Sequence, residues 1–413
     1  MPLNKQVSKE NSQLSIISRN LTFTSKEKEK AVSCLKEIKR EKPAFLSCPD
    51  FDSKLLNDFL SKNNSFKNLI VVGIGGSSLG TKALIELFFP LQERVFFIEN
   101  LDSIEIKKIL AKKLDPKETI INVISKSGHT LETRINFEII KDKFPNSKIV
   151  ATSDSGSWLH KEARNQGWDF LSIPKDLGGR FSVLSNVGLF PLGFLRKHSQ
   201  ASSLPVSFLK ELLEGALIGL AEYLAESFEK NKVLPYALGH FLAYQQNRNN
   251  FVLFSYGNLF DKFNLWWRQL LGESLGKNKL GPNPIACLGS TDQHSLVQLF
   301  TEGPDDKIFT FLIDKKKEED LSIPTVQDFQ KLKGKSLHDI LKASEKGTFE
   351  ALSDLSKPCF EIEIKKISPT EMGKLIMFFE IFVALLAKMF GVNAYDQDGV
   401  EKGKSITREI LFG

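Results

Sequence analysis

Two loops in this chain carry the residue types that could hold an anion. The first is Val72-Gly73-Ile74-Gly75-Gly76-Ser77-Ser78-Leu79-Gly80, which follows an apolar run and opens a helical stretch. Glycines let the backbone turn sharply and approach a ligand, and a helix N-terminus offers free N–H groups to negative charge. Three readings of it stand side by side. A dinucleotide fingerprint needs a third glycine where Ser78 stands, although Glu99 could act as its ribose-binding acid. A Walker loop fails on order, since Gly80-Thr81-Lys82 places the hydroxyl before the lysine. The third reading is a monosaccharide-binding loop, and a purely structural turn stands beside all three. The second loop is Ser125-Lys126-Ser127-Gly128-His129-Thr130-Leu131-Glu132-Thr133. The hydroxyls of Ser125, Ser127 and Thr130, a glycine and a helix start in one short segment suit a phosphate. The plain alternative is an N-cap at Thr130 followed by Thr133.

These loops need a frame to place them. Leu69–Val72, Val95–Ile98, Thr119–Ile124, Lys148–Ala151 and Phe170–Ile173 read as buried strands, with helical segments between most of them. Strand and helix alternating in this way predict a doubly wound α/β sheet, in which ligands bind at strand carboxyl ends. A second cycle begins near Pro205, with helices over much of 206–230, over Pro235–Arg248 and over Phe263–Leu271. Its strands are Phe251–Ser255, Lys307–Ile313 and Phe360–Ile364, and a last helix runs from Pro369 to about Phe390 before an irregular tail. The expected division is a helical lead-in at 1–65, one α/β domain at 66–204, a second at 205–368, and a C-terminal helix and tail at 369–413 that completes the site. The similar make-up of the two α/β lobes suggests a duplication, and the lack of a low-complexity linker predicts tight packing between them.

Composition narrows the function classes. A chain of 413 residues exceeds what one core usually holds. Its net charge of +6 fits a small anionic substrate, and its one dense basic run, Lys315-Lys316-Lys317, is followed at once by Glu318-Glu319-Asp320. That pattern is a solvated surface rather than a nucleic-acid stripe. Cys34, Cys48, Cys287 and Cys359 have neither zinc-site nor disulfide-framework spacing, which predicts free thiols in a reducing compartment. The polar start and the charged residues Glu380 and Lys388 inside Ile376–Phe390 argue against a signal core and a membrane span, so the cytoplasm is expected.

Four further motifs complete an ordered set: Gly178-Gly179-Arg180-Phe181-Ser182; Trp266 to Lys277 with Gln269 and Gly272-Glu273-Ser274; Ser290-Thr291-Asp292-Gln293-His294-Ser295; and Tyr395-Asp396-Gln397-Asp398-Gly399-Val400-Glu401-Lys402-Gly403-Lys404. With the two loops, this set resembles the glucose-6-phosphate isomerase family over about Leu69 to Lys404. The resemblance implies two three-layer α/β/α lobes of sugar-isomerase (SIS) type, each with a mainly parallel sheet, a helical lead-in and a helical C-terminal tail. It implies that Gly76 and Ser77 contact the sugar phosphate, and that Ser125, Ser127 and Thr130, with Lys126 beside them, hold the phosphate. It makes Arg180 the neutraliser of charge on the reacting oxygens, and places Gln269 and Gln397 along the sugar. Glu273 resembles the catalytic base, and His294 and Lys404 the ring-opening residues. No cofactor or metal is implied. A homodimer is, with the histidine serving the neighbouring site. Phe181 departs from the common tyrosine, and His129 from a small hydroxyl residue.

The chemistry fits these residue types. Aldose–ketose exchange needs ring opening, removal of a proton beside a carbonyl, stabilisation of an enediolate and return of the proton next door. One carboxylate can remove and return it. Imidazole titrates near neutrality, and a guanidinium stays charged without reorganising. In isolation Glu273 reads as a solvated carboxylate, His294 as a cap or core histidine and Lys404 as a surface lysine. His160, His198, His240 and His338 read as structural or surface residues, and Trp266-Trp267 as packing between lobes rather than a sugar platform. Competing functions are a non-catalytic sugar-phosphate sensor of the same fold, a bifunctional phosphoglucose/phosphomannose isomerase and a nicotinamide oxidoreductase. The acid–base set speaks against the first and the missing third glycine against the last.

Overall fold

The computed structural model describes residues 14–51, 53–198, 207–315 and 320–413. The end of the basic run at Lys316-Lys317, the Glu318-Glu319 that follows it and the expected boundary at 204–205 lie outside the described residues. In chain order the regular elements begin with β1 (Leu14–Arg19), α1 (Ser25–Glu41), α2 (Ser53–Lys62), β2 (Asn68–Val72), α3 (Leu79–Phe88), β3 (Val95–Ile98) and α4 (Ser103–Ala111). They continue with β4 (Thr119–Ile124), α5 (Leu131–Lys143), β5 (Lys148–Asp154), α6 (Trp158–Gln166), β6 (Asp169–Ile173), α7 (Asn186–His198) and α8 (Phe208–Tyr223). Then come α9 (Val233–Gln245), β7 (Asn250–Tyr256), α10 (Asp261–Leu275), β8 (Asn283–Gly289), α11 (Val297–Glu302) and β9 (Lys307–Asp314). The last elements are α12 (Leu337–Asp354), β10 (Cys359–Ile364), α13 (Pro369–Phe390) and α14 (Glu401–Phe412).

Lys42–Glu214 forms one compact unit. Its sheet has the order β3-β2-β4-β5-β6, with every pairing parallel. Helices cover both faces, so the strands need no polar alternation, and β4 is buried along its whole length. Ile70, Ile121, Phe137 and Ile140 anchor one core layer. Chain order reverses at β2, which lies between β3 and β4. The crevice beyond the carboxyl ends of β2 and β4 is where a doubly wound sheet accepts a ligand, and both anion loops leave from those two ends.

The described residues up to Glu41 join those from Gly215 onward in a second unit. Its sheet runs β1-β10-β9-β7-β8, with β1 antiparallel and the remaining pairings parallel. Setting β1 aside, the parallel strands take the same spatial order as the first four strands of the other sheet, which supports the duplication reading. The core is phenylalanine-rich: Phe311 stacks on Phe254 at 5.7 Å and meets Phe349 edge-on at 5.5 Å. Helix α13 starts at a Ser368 cap with Pro369 in its first turn, ends at Gly391 in the left-handed region, and is buried almost throughout. It is the core helix that its apolar sequence predicts. Among the described residues no helix is long and apolar enough to cross a membrane.

Several expectations need correction. The lead-in is not only helical, because Leu14–Arg19 pairs with β10 as an edge strand. The contact units also divide the chain differently from the boundaries at 65, 204 and 368: α2 belongs with the first sheet, whereas β1, α1, α13 and α14 belong with the second. Strand β8 escaped the sequence reading because it is a sheet edge with Pro284 in it, and proline is tolerated there. The tail, irregular by its residue pattern, is helical over Glu401–Phe412 despite Gly399 and Gly403, as the family resemblance implied.

One buried group should make stability depend on pH. Glu345 on α12 is 3% exposed. Burial, reinforced by Glu361, pushes its carboxyl up to about 8, with Lys346 and Lys342 opposing. The neutral acid is favoured in the fold, so stability is full below the ordinary carboxylate pKa and is lost as pH rises toward 8. Glu345→Gln is expected to raise the thermal midpoint by roughly 5 °C at pH 8 and by little at pH 4.5. Melting curves at both pH values check this, and an equal shift at both would contradict it.

Candidate active site

The glycine loop leaves β2 and is pinned to the Arg180 turn within the same unit. Gly75 has φ 62°, in the left-handed region. A Cβ on Gly76 would lie 2.3 Å from the Gly179 carbonyl carbon and 2.7 Å from the Arg180 nitrogen. Only glycine permits that approach. The Ser182 hydroxyl lies 2.7 Å from the Gly179 carbonyl oxygen and 3.2 Å from that of Gly76, stapling the two turns. Gly76 was expected at the sugar phosphate; its visible contact is with the backbone that holds Arg180. Arg180 is 1% exposed, with its guanidinium 5.7 Å from the Phe181 ring centroid. Phe181 in turn stacks on Phe45 at 5.1 Å. Ser77 sits half-buried on the same loop. Glu99 accepts from the Ser78 hydroxyl and pairs with Lys82. The acid that the dinucleotide reading required is therefore already engaged in bracing the loop.

The hydroxyl loop leaves β4. Thr130 occupies the N-cap position of α5, yet its side chain makes no capping bond. Its hydroxyl lies 3.1 Å from that of Ser125, which is 3% exposed. The simple cap reading therefore fails, and the Thr130 side chain does not compete for the first amides of the helix. Gly128 has φ 74°, and a Cβ there would meet the Leu159 nitrogen at 2.7 Å. From β5, the Ser153 hydroxyl lies 2.7 Å from the Ser125 carbonyl, and the Asp154 amide donates to the Lys126 carbonyl at 3.2 Å. Lys126 is half-buried. Burial raises the Asp154 carboxyl above its ordinary range, and the Lys126 charge works against that rise. Ser127 and His129 are exposed, and the His129 amide donates to the Ser127 hydroxyl at 3.2 Å. Hydroxyls grouped at an open helix N-terminus can surround a phosphate.

In the other unit, Gln269 and Glu273 lie four residues apart on α10, hence on one face. The Gln269 amide donates to Glu273 Oε2 at 3.3 Å, and Gln269 Oε1 is buried with no hydrogen-bond partner among the described residues. Trp267 and Leu271 bury the far side of the helix, and Trp266 and Leu270 are buried beside the pair. Just past α10, Lys277 pairs with Asp396 at 2.7 Å and donates to the Asn393 carbonyl. This clasp ties the end of the Glu273 helix to the segment that carries Gln397, which is exposed. His294 is exposed at the end of the Thr291–His294 turn. Lys404 is exposed on α14, where its ammonium pairs with Glu401 at 2.7 Å. The structure thus joins Ser125 to Thr130, Gly76 to the Arg180 turn, and Gln269 to Glu273. His294, Gln397 and Lys404 sit on separate exposed segments. Ser153, Lys277 and Asp396 were missed as supports. The last two lay inside quoted motifs, but a long-range pairing leaves no local signal.

The remaining histidines are structural. His240 is buried against the Tyr236 carbonyl at 2.8 Å, and burial depresses its pKa to about 3. His338 Nε2 lies 2.9 Å from the Asp314 carbonyl oxygen.

Two doubly wound sheets, the first with anion loops at its strand carboxyl ends, and a carboxylate–amide pair presented on a helix of the second unit define the class as an α/β protein built to take a small anion. A hypothetical protein from Thermus thermophilus superposes with TM-score 0.83 at 32% identity, covering 94% of this chain and 95% of that one. A glucose-6-phosphate isomerase from Chlamydia trachomatis shares the fold with TM-score 0.75 at 23% identity, covering 97% and 81%. The family model Phosphoglucose isomerase matches residues 61–412, and the chain belongs to that family. Glucose-6-phosphate isomerase of Methanocaldococcus jannaschii is 37% identical over 355 residues, which is 84% of this chain and 85% of that protein. Glucose-6-phosphate isomerase of Campylobacter jejuni is 35% identical over 369 residues, 86% and 87% respectively.

Proposed function

We propose that the chain is an isomerase interconverting glucose 6-phosphate and fructose 6-phosphate by ring opening and an enediolate intermediate, acting in glycolysis and gluconeogenesis. The observation that carries this reading is the uncapped start of α5, where the Ser125 and Thr130 hydroxyls meet each other instead of capping the helix. That is a cradle for a phosphate dianion, in a chain whose family acts on hexose phosphates.

In this reading Ser125, Ser127 and Thr130 hold the phosphate, with Lys126 adding charge. Glu273 carries the proton between C1 and C2, and Gln269 orients its carboxylate. The buried Arg180 guanidinium balances the enediolate, and Gln397 lines the sugar. His294 and Lys404 move the proton that opens the ring. The Lys404–Glu401 pair is an exposed contact worth little, so it leaves the ammonium available. The protein works as a homodimer in the cytoplasm. The exposed His294 imidazole, which has no hydrogen-bond partner among the described residues, suits service to a neighbouring copy. The four buried free thiols suit a reducing compartment. The presence of Glu273 favours catalysis over a passive sensor, and a phosphomannose side activity would use the same groups.

A coupled assay tests this directly. Fructose 6-phosphate is expected to yield glucose 6-phosphate with no added cofactor. A pure, folded protein that binds the sugar phosphate without converting it would establish the sensor instead.

A further inference from the structure

The turn carrying His294 is clamped from three directions, and none of the clamps is the imidazole itself. Gly289, at the end of β8, lies so close to the Tyr256 ring that a Cβ there would come within 2.5 Å of it. The Asp292 carboxylate accepts from the Leu288 amide at 2.7 Å and from the Ser295 hydroxyl at 2.9 Å. The third clamp reaches another element. The Gln293 side-chain amide donates to the Ser344 carbonyl at 3.1 Å and to the Thr348 hydroxyl, both on α12. The Thr348 hydroxyl also lies 3.0 Å from the Ser344 carbonyl oxygen. A side-chain amide has two donors, and both are used here on one helix turn, which fixes the glutamine's direction and height. His294, the next residue, is exposed and takes its place from this backbone.

We propose that Gln293 is a positioning residue for ring opening: by tying the Thr291–His294 turn to Ser344 and Thr348 of α12, it fixes where the His294 imidazole stands relative to the sugar. The proposal rests on the reading of His294 as the ring-opening group. Ring opening requires the imidazole at hydrogen-bonding distance from the ring, so a turn free to shift by about 1 Å loses much of the rate. Proton transfer between C1 and C2 does not depend on that turn.

The test compares two ketoses. Fructose 6-phosphate closes its ring through the 5-hydroxyl. Its 5-deoxy analogue has no such hydroxyl and carries phosphate on the 6-oxygen, so it stays open. Turnover of each is followed by deuterium uptake at C1. Gln293→Leu is expected to slow fructose 6-phosphate roughly tenfold to hundredfold while keeping the open analogue within about twofold of the parent enzyme's rate. Thr348→Val should act in the same direction, and Thr348→Ser should restore the parental ratio. His294→Ala must show the same selectivity for the closed sugar. If His294→Ala is selective but Gln293→Leu slows both substrates equally, or neither, the positioning role is overturned while the role of His294 stands. If His294→Ala slows both equally, the ring-opening reading itself falls, and the proposal falls with it.

Discussion

Glu273→Gln is expected to lower kcat by roughly 10²- to 10⁴-fold and to leave KM for fructose 6-phosphate within a few-fold, because an amide cannot accept the proton that the carboxylate carries. The substitution is nearly isosteric. Gln269 donates to one oxygen of the side chain in the fold, and the glutamine carbonyl can accept the same bond. The inward face of α10, with Trp266, Trp267, Leu270 and Leu271, is untouched. Binding should therefore survive, visible as a thermal shift on adding fructose 6-phosphate. A variant that keeps more than half of the parental turnover would remove Glu273 from the mechanism.

The second large effect is a gain. Glu273→Gln and His294→Ala are each expected to be nearly inactive, yet a mixture that exchanges subunits should recover activity. The reasoning is geometric. In a closed two-fold dimer whose histidine serves the partner's site, the mixed dimer holds one site with both lesions and one with neither. Equal mixing makes about half of the dimers mixed, each with one of two sites intact, so recovery should approach about a quarter of parental activity. Verified exchange without recovery would mean that His294 acts within its own chain, or not at all.

The frame and the site were unequally legible in the sequence. The parallel strands of the first sheet announce themselves as short, mainly apolar runs, since strands buried on both faces lack the regular polar alternation of a half-exposed strand. Helix α13 was as plain, bounded by Pro369 and Gly391. Edges were harder. Strand β8 contains a proline, and β1 stands before α1 with a half-exposed pattern, so neither carries a buried strand's signature. At the site, residue identities could be read, but their supports could not. Nothing local says that Gly76 is a glycine because the Arg180 turn presses on it, that Glu99 is engaged by Lys82, or that Lys277 reaches Asp396. Each is a contact between distant segments, and fixed spacings record only neighbours.

The central claim is that one carboxylate moves a proton between adjacent carbons of a hexose phosphate. Proton NMR of fructose 6-phosphate in deuterium oxide tests it most directly. The parent protein is expected to introduce deuterium at C1 of the ketose and C2 of the aldose as the two sugars equilibrate, and Glu273→Gln to introduce it at least about a hundredfold more slowly. Undiminished interconversion of the two sugars by Glu273→Gln, or undiminished deuterium uptake by it, would contradict the account.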